Sequence, residues 1–224
     1  MRLPVIALVL IAASLPAGAE TAEAALARMD KEAAGFHQIT ANLKRTEFTS
    51  VLGDTTSESG QLWMARVGRE IFMRSEFTQP NPRTVAVREK TAEIFYPKLN
   101  RVEIYDLSKM GGLVDQFLVL GFGSSGKEIV KNYSVQAAGT DTIAGVQTTR
   151  LELVPKSAKI QDQIKQVTLW LPLDAGHPVQ QKFLQPGGDY YLVNYSDIKL
   201  NPGLGDTAFR FNPPPGAQKV YPGK

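Results

Sequence analysis

Gly60-Gln61-Leu62-Trp63-Met64-Ala65-Arg66 opens the stretch that decides the fold, and Arg69-Glu70-Ile71-Phe72-Met73-Arg74-Ser75-Glu76-Phe77 continues it. A turn follows at Thr78-Gln79-Pro80-Asn81-Pro82. Then come Thr84-Val85-Ala86-Val87-Arg88, Ala92-Glu93-Ile94-Phe95-Tyr96-Pro97 and Arg101-Val102-Glu103-Ile104-Tyr105-Asp106. These are short runs rich in Val, Ile, Phe and Tyr, cut at intervals by Gly, Pro and Asn. That pattern predicts consecutive antiparallel strands joined by tight turns. A meander of this length makes one broad sheet, and a broad twisted sheet curls. What fills the concave face then decides the function.

Outward from this stretch, further strands are expected at Ile39–Leu52, Lys127–Val135, Gln147–Val154, Ile164–Leu171, Val179–Gln185, Tyr190–Leu200 and Ala208–Phe211. The total is about eleven strands. Two helical segments interrupt them. In Thr21–Phe36, Leu26, Met29, Ala33 and Phe36 share one face, and Gly35 is placed to end the helix. In Leu107–Leu120, Leu107, Met110, Leu113, Val114, Phe117 and Leu118 share another, weakened by Gly111-Gly112. No repeat or linker divides the chain, so residues 20–224 read as one mainly β (α+β) domain.

The N-terminus has the form of a secretory signal peptide over residues 1–19. Met1-Arg2 gives the positive end, Leu3–Leu15 is apolar, and Ala17-Gly18-Ala19 is a small-residue cleavage site before Glu20. The apolar run falls short of the about 20 residues a bilayer span needs. The chain has no cysteine. It therefore has no lipid-accepting Cys, disulfide framework, thiolate catalysis or Cys-ligated zinc. The expected location is the periplasm, without a lipid anchor. A formal charge of +3, with basic and acidic residues interleaved, gives no case for nucleic acid.

Catalytic signals are weak. Gly121-Phe122-Gly123-Ser124-Ser125-Gly126-Lys127 matches the letters of two nucleotide-binding patterns, but Glu128 stands where a Ser or Thr must hold magnesium. Residues Ile129–Val135 look strand-like, whereas both motifs lead into a long helix. The reading is a flexible glycine loop able to act as a hinge. The two histidines, His37 and His177, have no ligand-like spacing. Ser124 and Ser125 lack a base partner or an elbow context. No cofactor, metal or catalytic constellation is indicated, and the expectation is a non-enzyme. Trp63 and Trp170 are read as packing residues. Arg66 shares strand parity with Leu62 and Met64, and two readings stay open. Either it ends a strand in water, or it points inward and needs acceptors.

The motifs, in order, resemble those of the periplasmic lipoprotein carrier family LolA, within the LolA/LolB-like superfamily. They are Gly60-x-Leu62-Trp63-x-x-Arg66, Thr78-Gln79-Pro80, Phe95-Tyr96-Pro97, Leu153-Val154-Pro155-Lys156 and Phe209-x-Phe211-x-Pro213-Pro214-x-Gly216. The sequence departs from the pattern at Val67, where the family usually has Pro, and the segment from Gly68 to Phe77 is longer than usual. The resemblance implies an unclosed antiparallel β-barrel covered by a helical lid, with a cavity for the acyl chains of lipoproteins. It implies that Arg66 latches the lid. It also implies an inner-membrane release complex, an outer-membrane acceptor and a monomeric carrier. Apolarity and parity nominate Leu62, Met64, Ile71 and Met73 as cavity residues on the sheet, with Leu113, Val114, Phe117 and Leu118 on the lid. The alternative on the same fold is a periplasmic protein that binds or senses another lipid or glycolipid.

Overall fold

The computed structural model describes residues 20–68, 70–88, 90–108 and 120–222. In chain order the elements are α1 (Ala22–Ala34), β1 (Gln38–Thr49), β2 (Asp54–Val67), β3 (Glu70–Gln79), β4 (Arg83–Arg88), β5 (Thr91–Tyr96) and β6 (Arg101–Asp106). After these come α2 (Gly126–Asn132), β7 (Tyr133–Ile143), β8 (Val146–Pro155), α3 (Ala158–Gln161), β9 (Gln166–Pro172), β10 (Gln180–Leu184), β11 (Tyr190–Leu200) and β12 (Gln218–Val220).

Among the described residues, twelve strands form one sheet, ordered β12-β6-β5-β4-β3-β2-β1-β11-β10-β9-β8-β7. Every pairing is antiparallel except β12 with β6, which is parallel. The end strands β7 and β12 do not pair with each other, so the sheet is unclosed. The predicted meander is present from β2 to β6. Its alternating residues are what place one apolar row on the inner face.

Two buried clusters fill the concave side. Beneath β7–β9, Ala25 and Met29 of α1 and Ile129 of α2 meet Tyr133, Leu151, Leu153, Val167, Leu169 and Leu171. Beneath β1–β3, Phe36 and Phe122 cover Ile39, Leu43, Leu62, Met64 and Ile71. α1 is held at its start by Thr21, whose hydroxyl accepts the Ala24 amide, and it ends at Gly35. The convex side has its own cover. Phe209 is buried, Phe211 packs 5.5 Å from Phe95, and Arg74 donates to the Arg210 carbonyl.

Three expectations need correction. Lys127–Val135 is not one strand, because Gly126–Asn132 is the helix α2 and the strand starts at Tyr133. A capping box sets that helix: Ser125 accepts the Glu128 amide, and Glu128 accepts the Ser125 amide in return. The ground taken from a strand-like continuation therefore falls. Glu128 itself still speaks against phosphate, since its carboxylate already occupies the helix start. The glycine loop is also not a free hinge: Leu120, Phe122 and Ser124 are all buried. Finally, Ala208–Phe211 is not a closing strand. Asp206–Phe209 is a 3-10 turn that anchors Phe209 in the convex surface, and the last strand, β12, lies beyond the prolines. Prolines lack the N–H that a ladder needs, so pairing resumes only after them. Of the expected helix over Leu107–Leu120, residues 109–119 lie outside the described residues.

Candidate functional site

Register places the inner face residue by residue. Met64 is opposite Ile39 and Met73, Leu62 is opposite Ala41 and Ser75, and Gly60 is opposite Leu43 and Phe77. Ser75 then faces Val85, and Val85 faces Ile94. Of the four candidates on the sheet, Leu62, Met64 and Ile71 lie together in the buried cluster with Phe36 and Phe122. Met73 sits at the edge of that cluster and is half-buried. With Phe77, Val85 and Ile94, also half-buried, it continues the apolar surface toward β5. Leu113, Val114, Phe117 and Leu118 lie outside the described residues.

Arg66 is the last inward residue of β2. Its Nη2 donates to the Gly123 carbonyl at 2.7 Å. Of the two readings left open, the inward one matches this contact. From the other flank, Gln181 on β10 reaches the same loop. Its Nε2 donates to the Leu120 carbonyl at 2.5 Å, while its Oε1 accepts the Tyr195 hydroxyl at 2.7 Å. Arg66 and Gln181 stand on strands separated by β1 and β11, roughly 14 Å across the sheet at about 4.8 Å per strand. The loop thus bridges the concave face between two side-chain anchors.

The loop has no slack at its glycines. A Cβ on Gly121 would lie 2.8 Å from Gln181 Nε2, and one on Gly123 would lie 2.3 Å from the Phe36 ring. Phe122 meets Tyr195 edge-on at 4.8 Å and stacks on His177 at 6.4 Å. His177 in turn contacts Glu32 of α1 at 2.8 Å. Burial pushes the Glu32 carboxyl up. The hydrogen bonds from His177 and the Gly176 amide, with the charge of His177, outweigh it and hold Glu32 below its usual range. Burial also raises the Tyr195 hydroxyl well above the ordinary tyrosine value, so it stays a donor.

The opposite end of the concave face is polar. Arg83 gives Nη1 and Nη2 to the two oxygens of Glu58, at 2.6 and 2.7 Å. Arg45 donates to Glu58 at 2.8 Å and to Glu47 at 3.1 Å. Arg101 pairs with Glu103 at 2.7 Å, and the Tyr105 hydroxyl donates to the same carboxylate. Each guanidinium lies over a ring: Arg45 over Tyr191, Arg83 over Phe77 and Arg101 over Tyr96. Burial pushes Glu58 up, but the hydrogen bonds and charges of Arg83 and Arg45 prevail and hold it below the usual carboxylate range. A separate recess of about 1130 Å³ has a mixed lining, in which Asn42, Lys44, Gln61, Asn194 and Asp197 stand beside Leu43.

Neither tryptophan joins the concave site through its polar atom. Trp63 lies under the Arg74 guanidinium, and Trp170 donates to Asp141. Among the described residues, no group of three or more His, Asp or Glu side chains is placed to hold a metal ion. Sequence reasoning missed Gln181, Tyr195 and the Arg45–Glu58–Arg83 set. Within the last, only the Arg45–Glu58 pair had a legible signal, since the turn at Gly53 brings the two opposite each other. Gln181 had none, because its partner is 61 residues away.

No family model and no curated protein matches the chain. Solved structures do. An uncharacterized conserved protein from Thermus thermophilus superposes with a TM-score of 0.55 at 14% identity, over 89% of this chain and 98% of that one. MucB superposes with a TM-score of 0.50 at 14% identity, over 85% of this chain and 62% of that one. A LolA superfamily protein from Nitrosomonas europaea aligns with a TM-score of 0.40 at 15% identity, over 86% of this chain and 99% of that one. At these identities the likeness is one of fold alone: an unclosed, mainly antiparallel sheet with few helices.

Proposed function

We propose that this protein is a periplasmic carrier that shelters the acyl chains of lipoproteins against its concave face and moves them from the inner to the outer membrane. Residues 1–19 act as the export signal, and residues 20–224 form a monomeric carrier that performs no covalent chemistry. Its partners are an inner-membrane release complex and an outer-membrane acceptor. The observation that carries this reading is the bridged concave face. A half-buried apolar surface at Met73, Phe77, Val85 and Ile94 adjoins a loop that Arg66 holds through one carbonyl.

The energetics suit the task. Each methylene moved from a membrane into water costs about 0.8 kcal/mol, so a sixteen-carbon chain costs on the order of 12 kcal/mol. A carrier must replace that apolar environment and still release its load. Met73, half-buried at the edge of the core cluster, gives a surface that adapts to chains of different shape. The Arg66–Gly123 bond acts as a latch. A single hydrogen bond is worth about 1.5–3 kcal/mol when one partner is charged, which a docking partner can overcome.

The test is native mass spectrometry of Glu20–Lys224 purified gently from a bacterial periplasm. Co-purified masses of acylated lipoproteins are expected, and Arg66→Leu is expected to retain cargo or impair its transfer. Phospholipid or glycolipid masses instead would identify a carrier or sensor of other lipids. A bare protein mass that also takes up no added fatty-acyl probe would sink both readings.

A further inference from the structure

The strand registers place several turns of one half of the sheet along a single rim. Phe48, near the end of β1, pairs with Tyr190, and Tyr190 pairs with Leu184 at the end of β10. Leu184 pairs with Gln166, the first residue of β9, and Val167 beside it pairs with Leu153. Pro155, at the end of β8, pairs with Tyr133, which follows α2. The turns at residues 50–53, 156–165 and 185–189 therefore stand side by side with the last turn of α2.

Two features set this rim apart. The first is the β1–β2 turn. Its backbone needs are met by Ser50, Gly53 and Asp54. Ser50 donates its amide to Asp189 at 2.7 Å and its hydroxyl to the Gly187 carbonyl at 2.8 Å, Gly53 takes φ +62°, and Asp54 accepts the Thr55 amide. Val51 and Leu52 serve neither turn nor core, being 92% and 75% exposed. Turns favour Gly, Pro, Asn, Asp and Ser, so a fixed tip that holds two aliphatic side chains in water is unlike an ordinary turn. The second feature is charge. Lys131, Lys156, Lys159 and Lys165 are exposed along the rim, and Lys182 lies 4.1 Å from the Tyr190 ring. None of these lysines is in an ion pair among the described residues. Asp54, Asp162 and Asp189 stand with them, and Asp54 and Asp189 already accept the amides of Thr55 and Ser50. The turns at the other ends of these strands, residues 144–145 and 173–179, contain no lysine or arginine.

These features fit a lipid surface better than a protein. A stable protein interface buries about 800 Å² on each side, far more than one two-residue tip offers. A bilayer asks only that an apolar tip enter and that cations and amphipathic rings meet the head groups. Val51 and Leu52 supply the tip. Tyr190, stacked on Phe48 at 5.1 Å, lies behind it, and the exposed Val130 and Val154 stand among the lysines.

We propose that this rim docks on the surface of an anionic bilayer, with Val51 and Leu52 entering the head-group layer and the lysines meeting acidic lipid heads. The proposal goes beyond the carrier reading and stands apart from it, since it uses neither the apolar row of the concave face nor the Arg66 latch.

The experiment measures co-sedimentation of Glu20–Lys224 with vesicles of phosphatidylcholine alone and of phosphatidylcholine mixed with phosphatidylglycerol. Binding to the mixed vesicles is expected to be at least about tenfold tighter than to phosphatidylcholine, and to weaken as salt is raised. The double variant Lys156→Gln, Lys159→Gln is expected to lose about 25-fold, at about fivefold per lysine. The double variant Val51→Ser, Leu52→Ser is expected to lose about tenfold or more on the mixed vesicles. It is also expected to take up a fluorescent fatty-acyl probe as wild type does, which shows that it is folded and separates docking from cargo uptake. Wild type that sediments with neither vesicle, or equally with both, overturns the proposal. So does a Val51→Ser, Leu52→Ser variant that binds mixed vesicles as wild type does. Vesicle binding without uptake of the fatty-acyl probe by wild type upholds the docking rim and overturns the carrier reading instead.

Discussion

Replacing Gly123 by alanine tests how tightly the bridging loop is built. Gly123 has φ +73°, and an added Cβ would lie 2.3 Å from Phe36 Cδ1. Two costs follow. A left-handed backbone with a Cβ costs about 1–2 kcal/mol. Overpacking a filled site costs about 1–3 kcal/mol more, because Phe36 must yield while it is itself packed on Ile39, Leu62 and Met64. Gly203 separates the two, since it has φ +70° and nothing within 4 Å of its added Cβ. Gly203→Ala is therefore expected to lose only the backbone part, and Gly123→Ala about 2–5 kcal/mol in all. Urea unfolding of both variants gives the comparison. In a domain of this size each kcal/mol also lowers Tm by about 2–4 °C. Equal losses in the two variants would refute the packed-loop reasoning and return the loop to the role of a flexible hinge.

Two further outcomes follow from contacts around the same loop. Tyr195→Phe removes the hydroxyl that Gln181 Oε1 accepts and leaves a buried acceptor unpaired, so urea unfolding is expected to show a loss of about 1–2 kcal/mol. A variant as stable as wild type would mean that the Gln181 contact contributes nothing. The second outcome concerns pH. The Glu32 carboxyl is held below its ordinary value of 4.5 in the folded protein. Its contribution is therefore full above that value and is lost as pH falls through the depressed folded one. Glu32→Gln is expected to flatten this acid limb when urea midpoints are followed from about pH 7 to pH 3. An unchanged slope would show that the Glu32–His177–Gly176 set does not carry it.

The strands are legible because their apolar residues alternate with period two. Leu62 and Met64 against Trp63 and Ala65 show which residues share a face, and the pairing with Ile39 and Ala41 agrees. The helix α2 is legible in principle but easily mistaken. Ile129-Val130 suggests a strand, while Ser125-x-x-Glu128 is a helix-start signature that outweighs two β-branched residues. Phe209 and Phe211 look like alternating strand residues, but they anchor a segment to the convex face and do not pair in a ladder. The site is legible only in part. The parity of Arg66 with Leu62 points it inward, yet no local pattern names Gly123 as its acceptor. The pairing of Arg83 with Glu58 depends on crossing β3 over the ring of Phe77, which no spacing in the chain reveals.

The central pairing of β1 with β11 has a consequence for how the protein folds. It joins the strands before α2 to those after it, and its ends are fixed by His37 with Asn201 and by Ser50 with Asp189, residues 164 and 139 apart in sequence. Hairpins such as β2–β3 and β8–β9 are local and close early, whereas this seam must wait for a long loop to find its ends. Arg66 on β2 and Gln181 on β10 stand on opposite sides of that seam, each holding the same loop. By this separation in sequence the bridge is expected to form late in folding, after the two half-sheets have met.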